Sequence, residues 1–282
     1  LIQTLAQKDV ESIAPVNLTY LLWRNPENLK TRSILALGFN PEDSLLLEKD
    51  FSEKAQVLKN PGRVLFDSLS RPEFGPIEEW FLNDRNVETE VAGKRVKVEG
   101  LVKLGPSFGA DGNLLTSRET YLRLFPGNPK GSIEIGLVRL KSGANPLFVS
   151  KILNNSLPND VRVLTKKEFI DFEKNYWRNS TAIGFIFTLG AFMGFVVGCV
   201  VVYQILYSDV TDHLPEYATL LAMGYRLKSL FFVVAREGFL LAFFGYLPAY
   251  FSGQLLYALV RNSTRLPIEM DASKSILIFI LI

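Results

Sequence analysis

The hydrophobic and polar positions divide the chain into two regions of different character. Residues 1–180 mix polar with apolar positions and carry most of the charge, whereas residues 181–282 contain long apolar runs. Within the first region, residues 18–24 and 31–39 have the composition of β-strands. The alternating segments on either side of Ala92-Gly93 predict a β-hairpin.

The rest of the polar region predicts strands that alternate with helices. Ser117 is suited to cap a short helix over residues 118–125. Residues 132–140, 145–156 and 160–164 are typical of a strand, a helix and a second strand, which together form a βαβ-like unit. These elements favour a soluble domain of the α+β or α/β class.

A long helix is predicted to begin after Thr165. Thr165 and Glu168 have the spacing of a capping box, in which the two side chains satisfy N–H groups at the start of a helix. No glycine or proline interrupts residues 169–180, and residues 181–207 carry no charge and are long enough to span a bilayer. We therefore predict one continuous helix that runs from the domain through the membrane.

A second run of spanning length covers residues 238–260 and contains Pro248, which predicts a kink or a break. Arg236 and Glu237 precede this run, and we expect them to anchor the helix end at the membrane interface. Residues 275–282 are apolar to the last position. The sequence thus predicts that the chain stops inside a further span and is a fragment of a longer membrane protein.

Residues 212–225, between the two runs, predict a short amphipathic helix. Pro215 suits the first helical position, and Gly224 suits the residue that ends a helix. The acidic side chains expected at its start are Asp209, Asp212 and Glu216, and the predicted apolar stripe is Tyr217, Leu220 and Leu221. Physical chemistry alone predicts a turn that lies flat on the membrane surface.

Three glycines in the first apolar run recur every four residues, at Gly190, Gly194 and Gly198. Small residues at this interval share one helix face and allow a second helix to approach closely. We predict a helix-packing face here, with a partner either within the chain or in a second copy of it.

Composition and motifs exclude several kinds of site. A net charge of +2 without a basic run gives no reason to expect nucleic-acid binding. Cys199 and His213 are the only residues of their types, which argues against an intrachain disulfide, a cysteine zinc cluster and a multi-histidine metal site. A phosphate-binding loop of the form G-x-x-x-x-G-K-[ST] is missing from the sequence. We therefore predict no catalytic residue, cofactor or metal ion.

Five segments of the chain have the pattern of a known family: "EFIDFEKNYWRNSTAIGFIFTLGAFMGFVVG", "VVYQILYSDVTDHLPEYATLLAMGY", "FFVVAREGFLLAFFG", "SRPEFGP" and "ETEVAGKRVKVEGLVKLGPSFGADGNLLTS". In these segments the sequence resembles the DevC-type permeases of cyanobacteria, which belong to the FtsX/MacB/LolC-like superfamily of ABC transporter membrane subunits. The resemblance implies four spans with a large extracytoplasmic domain between the first and second, and it covers nearly the whole chain.

The implied architecture is an α+β extracytoplasmic domain joined to an α-helical transmembrane domain that lacks the first span and most of the fourth. The extracytoplasmic domain would be like the periplasmic part of MacB, with a βαβ-containing part and an inserted β-rich lobe. The expected order is the periplasmic domain (1–164), a stalk helix (165–180), a transmembrane helix (181–207), a cytoplasmic coupling segment (208–237), a transmembrane helix (238–260), a short extracytoplasmic loop (261–274) and the start of a truncated transmembrane helix (275–282).

The resemblance also implies a role for the short helix, which in this family docks on a separate ATPase subunit. The docking residues carried over are Pro215, Glu216, Tyr217, Leu220, Leu221, Met223 and Gly224. Ala218 and Ala222 also match the family pattern, whereas Leu221 replaces its usual Lys or Arg. A lost surface ion pair is worth only about 0–1 kcal/mol, so we expect docking to survive.

The function implied is that of an inner-membrane, multi-pass permease subunit of an ATP-driven exporter. Expected partners are the ATPase subunit, a periplasmic adaptor, a TolC-like outer-membrane channel, a second permease copy and membrane lipid, with glycolipid or another amphiphile as cargo. The alternative is an FtsX-like subunit that transmits ATPase state to an extracytoplasmic enzyme and moves no cargo. A membrane-anchored enzyme would need a clustered polar site in residues 1–164, and the sequence suggests none.

The distribution of basic side chains alone favours a membrane orientation opposite to the one that the resemblance implies. Residues 161–180 carry more basic side chains than the loop at 208–228, and the positive-inside rule would then place the domain in the cytoplasm. Large domains, however, translocate largely regardless of charge. The expected orientation therefore follows the resemblance.

Overall fold

The computed structural model describes residues 2–43, 54–129, 131–266 and 268–281. The chain divides into two compact units. Unit 1 comprises Leu1–Val163 together with Leu259–Ile268, and unit 2 comprises Leu164–Ala258 together with Glu269–Ile282.

Unit 1 contains a mixed β-sheet with short helices at its margins. The strands are β1 (Val10–Arg24), β2 (Thr31–Phe39), β3 (Arg63–Asp67), β4 (Glu88–Val91), β5 (Lys94–Val102), β6 (Asn113–Ser117) and β7 (Ile135–Leu140). The helices are α1 (Ile2–Leu5), α2 (Ile77–Leu82), α3 (Arg118–Leu124) and α4 (Pro146–Ser156), with 3₁₀ turns at Gln56–Lys59 and Pro72–Phe74.

The seven strands form one sheet in the order β2-β6-β3-β5-β4-β1-β7. Because β1 also pairs with β2, six of the strands close on themselves, and β7 is attached outside this ring. The first half of β1 pairs with β7 and its second half with β2.

The main core lies among the strands of the ring and the segment that follows β3. Trp23 is completely buried, with its ring 5.1 Å from that of Phe66, and its indole Nε1 donates to the carbonyl of Phe74 at 3.0 Å. The hydrogen bond satisfies the one polar atom of a large apolar side chain, which is the usual condition for burying tryptophan. A smaller cluster packs α4 against β1 through Val10, Val149 and Leu153.

Several local predictions are confirmed. The hairpin between β4 and β5 turns at Ala92 and Gly93, which both have positive φ (50° and 72°), as a two-residue type I′ turn requires. Ser117 caps α3 by accepting the N–H of Thr120 at 3.3 Å. The strand over 31–39 forms as predicted, whereas β1 begins earlier than the predicted residue 18.

The prediction that residues 160–164 form the second strand of a βαβ-like unit is wrong. That stretch is described throughout and has no strand pairing. The side chain of Asn154 on α4 instead accepts from the N–H of Val163 at 2.8 Å and donates to its carbonyl at 2.7 Å. A side-chain amide thus supplies the two hydrogen bonds that a neighbouring strand would make.

Unit 2 consists of helices: α5 (Lys166–Asn179), α6 (Ala182–Asp212), α7 (Leu214–Ala222), α8 (Leu227–Thr264, of which the last residues belong to unit 1) and α9 (Ala272–Leu281). The capping box at Thr165 and Glu168 is confirmed, with both reciprocal hydrogen bonds present. Among the residues that the structure describes, α6 and α8 are long and apolar enough to cross a membrane. Pro248 lies inside α8 without ending it.

The prediction of one continuous helix from Thr165 through the membrane is wrong. Helix α5 ends at Asn179, and Thr181 has extended backbone angles (φ −118°, ψ 153°) before α6 begins. The Thr181 hydroxyl donates to the carbonyl of Trp177 at 2.7 Å, an acceptor that the helix would otherwise use internally. Asn, Ser and Thr in succession disfavour helix because their side chains compete for backbone groups.

Candidate functional site

The candidate site is helix α7, which connects the two long apolar helices. Its end has the geometry of a Schellman motif: Gly224 has φ +96°, its N–H bonds to the carbonyl of Leu221, and the N–H of Tyr225 bonds to the carbonyl of Leu220. The predicted stop at Gly224 is confirmed. The helix begins at Leu214, so Pro215 occupies the second position and not the predicted first.

Two acidic residues predicted at the start of α7 belong to the preceding helix. Asp209 and Asp212 lie in the last turn of α6, which continues beyond the predicted end at Tyr207 because nothing between 208 and 212 breaks a helix. Only Glu216 occupies the first turn of α7, where its charge is favourable. The imidazole of His213 lies between the two helices, with Nδ1 3.2 Å from Glu216 Oε2 and Nε2 3.8 Å from Asp209 Oδ1.

The predicted docking residues separate into two groups by exposure. Tyr217 and Leu220 are half-buried, so this edge of α7 faces the rest of the chain. Leu221 and Met223 remain 42% and 64% exposed. Pro215, Glu216 and Gly224 are exposed as well.

The face of α7 opposite Tyr217 and Leu220 carries only small side chains. Pro215, Ala218, Thr219 and Ala222 are spaced three and four residues apart, share this face and are all exposed. We call these four residues the outward face of α7. The apolar stripe in the sequence indicated the opposite edge of the helix. The outward face could have been predicted from the three- and four-residue spacing of its small side chains.

Negative charge surrounds the half-buried edge of α7. Burial, and then the carboxylates of Asp209, Glu237 and Glu216, raise the pKa of the Tyr217 hydroxyl above its ordinary value. The shift makes the phenol a weaker acid than an ordinary tyrosine, so its hydroxyl is available as a hydrogen-bond donor. In the described part of the chain, no cluster of His, Cys, Asp or Glu side chains is arranged to hold a metal ion.

The three glycines that recur every four residues on α6, which we call the glycine stripe, are not in contact with any neighbouring element that the structure describes. A Cβ placed on Gly190, Gly194 or Gly198 would meet no atom within 4 Å among the described residues. Large apolar side chains surround the stripe, and Phe192, Phe195 and Val197 are each more than half exposed. Among the described residues, none therefore packs against the stripe at these three positions.

A mixed-sheet domain together with two helices long and apolar enough to cross a membrane, and a short amphipathic helix between those two, is typical of a membrane protein with a large polar domain. Residues 181–282, which contain α6 to α9, match the family described as FtsX-like permease C-terminal. None of the curated proteins matches the sequence significantly.

Three solved structures are similar to the chain. The extracellular domain of the noncanonic ABC-type transporter YknZ from Gram-positive bacteria is 13% identical, with a TM-score of 0.39, over 57% of this chain and 85% of that one. The periplasmic region of MacB from Actinobacillus actinomycetemcomitans is 13% identical, with a TM-score of 0.34, over 53% and 69%. A domain of a putative permease protein from Porphyromonas gingivalis is 17% identical, with a TM-score of 0.32, over 53% and 64%.

Proposed function

We propose that this chain is the membrane permease subunit of an ATP-binding cassette exporter and couples ATP hydrolysis by a separate ATPase subunit to a movement of its polar domain. The FtsX-like permease match over α6 to α9 supports this proposal. The observation that carries it is the outward face of α7, an exposed row of small residues on a helix that ends at Gly224 and lies in sequence between two membrane-length helices.

Docking on the ATPase uses the outward face of α7 together with its exposed flanks. Small side chains allow the backbone of α7 to enter a groove in the partner, and Glu216 and Leu221 lie on either side of that row. Leu221 offers an apolar contact where related permeases have a basic residue. Tyr217 and Leu220 hold α7 against the permease itself, so movement of the ATPase is passed to α6 and α8.

The domain lies on the periplasmic side of the inner membrane in this proposal, and the ATPase on the cytoplasmic side. Its cargo is a glycolipid or another amphiphile, delivered through a periplasmic adaptor and a TolC-like channel. Because α5 and α6 are separate helices, motion reaches the domain through the joint at Ser180-Thr181 and not through a single rigid rod.

The docking assignment predicts that Ala218→Trp abolishes coupling. An indole on the outward face of α7 blocks close approach of a partner, and Ala218 is exposed, so the substitution does not disturb the packing of this chain. The measurement is co-purification of the ATPase with the permease, and ATPase activity of the complex in nanodiscs. We expect loss of both.

The matched control is Ala272→Trp, which places the same side chain on an exposed alanine at the start of α9. This position lies on the other side of the membrane in the proposed topology, and coupling should be unchanged. Binding and activity that survive Ala218→Trp would show that α7 is not the docking helix.

The glycine stripe supports a second permease copy as its partner. In a Cys199→Ala background, Gly194→Cys should form a disulfide-linked dimer on mild oxidation, because the open stripe lets two α6 helices approach closely. The readout is a shift to the dimer band on non-reducing gels. Phe192→Cys, an exposed residue on another side of α6, is the control that should remain monomeric. Equal cross-linking of the two variants would argue against a specific interface.

The FtsX-like relay is distinguished from the exporter by cargo movement. Both functions require ATPase docking on α7, and only the exporter restores export when the intact transporter genes are returned to an export-deficient strain. A chain that couples to its ATPase and fails to restore export is a relay.

A further inference from the structure

Three large apolar side chains are exposed on loops at one edge of the sheet in unit 1. Leu69 follows β3, and Leu104 and Phe108 follow β5, with exposed fractions of 40%, 55% and 53%. Because β3 and β5 are parallel, the two loops leave the sheet at the same edge. Lys103 is exposed beside them.

The buried carboxylate of Asp67 holds these loops together. Its Oδ1 accepts hydrogen bonds from the backbone N–H groups of Leu69 (3.1 Å) and Leu104 (3.0 Å), so one oxygen atom holds the backbone of both leucines. Its Oδ2 accepts from Gly105 N–H at 2.9 Å and from the Asn113 side chain at 2.8 Å. Leu69, Leu104 and Phe108 are thus presented by ordered loops, and we name these three residues the foot of the domain.

Arg265 connects the foot to the end of a membrane-length helix. It directly follows Thr264, the last residue of α8, and its Nη1 donates to the carbonyls of Ser68 at 3.3 Å and Ser70 at 2.9 Å. These carbonyls lie on either side of Leu69. Arg265 adopts φ +56°, a conformation that is uncommon for a residue with a side chain.

The distance from the predicted end of the span is short. Val260 ends the predicted apolar run, and Arg265 follows it by five residues, or about 7 Å at the helical rise. The polar interfacial layer of one leaflet is about 5–8 Å thick. With α8 across the bilayer up to Val260, the backbone on either side of Leu69 would lie within reach of the interfacial layer.

We propose that the foot of the domain inserts into the membrane interface on the domain's side of the bilayer, with phospholipid as its partner. Leu69, Leu104 and Phe108 contact the upper acyl chains, and the ammonium of Lys103 binds headgroup phosphate. Exposed apolar side chains beside a lysine are the composition of segments that lie in the interface. The proposal depends on α8 crossing the bilayer and is independent of the ATPase and of cargo.

The test measures the depth of a fluorophore at position 104. Leu104→Cys in a Cys199→Ala background is labelled with an environment-sensitive fluorophore and reconstituted, as the full chain, into phosphatidylcholine vesicles. A nitroxide-bearing phospholipid with its spin label near the headgroup end of the acyl chain is then included. Substitution at 104 keeps the backbone N–H that Asp67 binds, so the loop remains in place.

We expect the label at 104 to lose most of its emission to the nitroxide lipid, and the loss to shrink in an Arg265→Gln variant that lacks the guanidinium clamp. Leu122→Cys is the matched control, because Leu122 is an exposed leucine on α3, which follows the opposite end of β6 from Asn113. The native Cys199 of α6, labelled in the unmodified chain, confirms insertion.

Quenching at 104 no greater than at 122, with Cys199 quenched, would overturn the proposal. Full quenching in Arg265→Gln would overturn the role of the clamp. With no other protein in the vesicles, a foot that binds an adaptor or another protein in place of lipid would give the first of these results. Failure of the ATPase-docking test leaves these outcomes unaffected.

Discussion

Replacement of Asp67 by asparagine is expected to destabilise the domain by about 3 kcal/mol, because buried N–H donors then lose their acceptor. The Asp67 side chain is fully buried and accepts four hydrogen bonds, two at each carboxylate oxygen. In asparagine one oxygen becomes an NH₂ group, which cannot accept from the donors that face it. The shape of the side chain is preserved, so the effect reports the loss of the carboxylate's hydrogen bonds and charge and not a change in packing.

The measurement is pulse proteolysis of the full chain in detergent across a urea gradient. At a denaturant sensitivity of about 2 kcal/mol per molar urea, the midpoint should fall by about 1.5 M. Asp111→Asn is the matched control: Asp111 is about one-third exposed, its carboxylate pairs with Arg32 and Arg71, and an amide there keeps an oxygen acceptor, so its loss should change stability by less than about 1 kcal/mol. Equal midpoints for the two variants would mean that Asp67 does not organise the loops.

The sequence predicted those elements of the fold that depend on neighbouring residues. The capping box at Thr165, the Ala92-Gly93 hairpin and the glycine stop at Gly224 each depend on a few adjacent positions, and the structure confirms all three. The apolar runs also predicted α6 and α8, because length and composition are sufficient to identify such helices.

The predictions that failed depended on interactions between distant residues or on competition within a short segment. Residues 160–164 have the composition of a strand, but whether a strand forms depends on a pairing partner, and Asn154 takes that place. The role of Asp67 could not be predicted from its neighbours in the sequence, because the donors that surround it lie up to 46 residues away.

The sequence predicted the position of helix α7, whereas the face that the helix leaves exposed became visible only in the structure. An apolar stripe predicts which side of a helix avoids water, and Tyr217 and Leu220 do so by packing toward their own chain. The surface left for a partner is the complementary one, and its small residues have no strong hydrophobic pattern. Only the structure separates contacts within the chain from contacts available to a second protein.

Gly184→Ala is expected to disrupt the joint between α5 and α6. A Cβ at position 184 would lie 1.8 Å from the carbonyl oxygen and 2.5 Å from the carbonyl carbon of Arg178, so backbone must move to admit it. In a straight helix these residues would be separated by about 9 Å along the axis, which leaves room for a methyl group. The substitution should therefore convert the joint into a continuous or less bent helix.

The change is measured as the distance between spin labels at positions 172 and 192 in a Cys199→Ala background. A continuous helix separates these positions by about 30 Å, and the bent native chain should give a shorter distance that lengthens toward this value in Gly184→Ala. Gly190→Ala adds the same methyl group to α6 where no described atom lies within 4 Å, so it should leave the distance unchanged. If the joint transmits ATPase movement to the domain, Gly184→Ala should also lower transport while ATPase binding through α7 persists. An unchanged distance in Gly184→Ala would show that the contact with Arg178 does not set the bend.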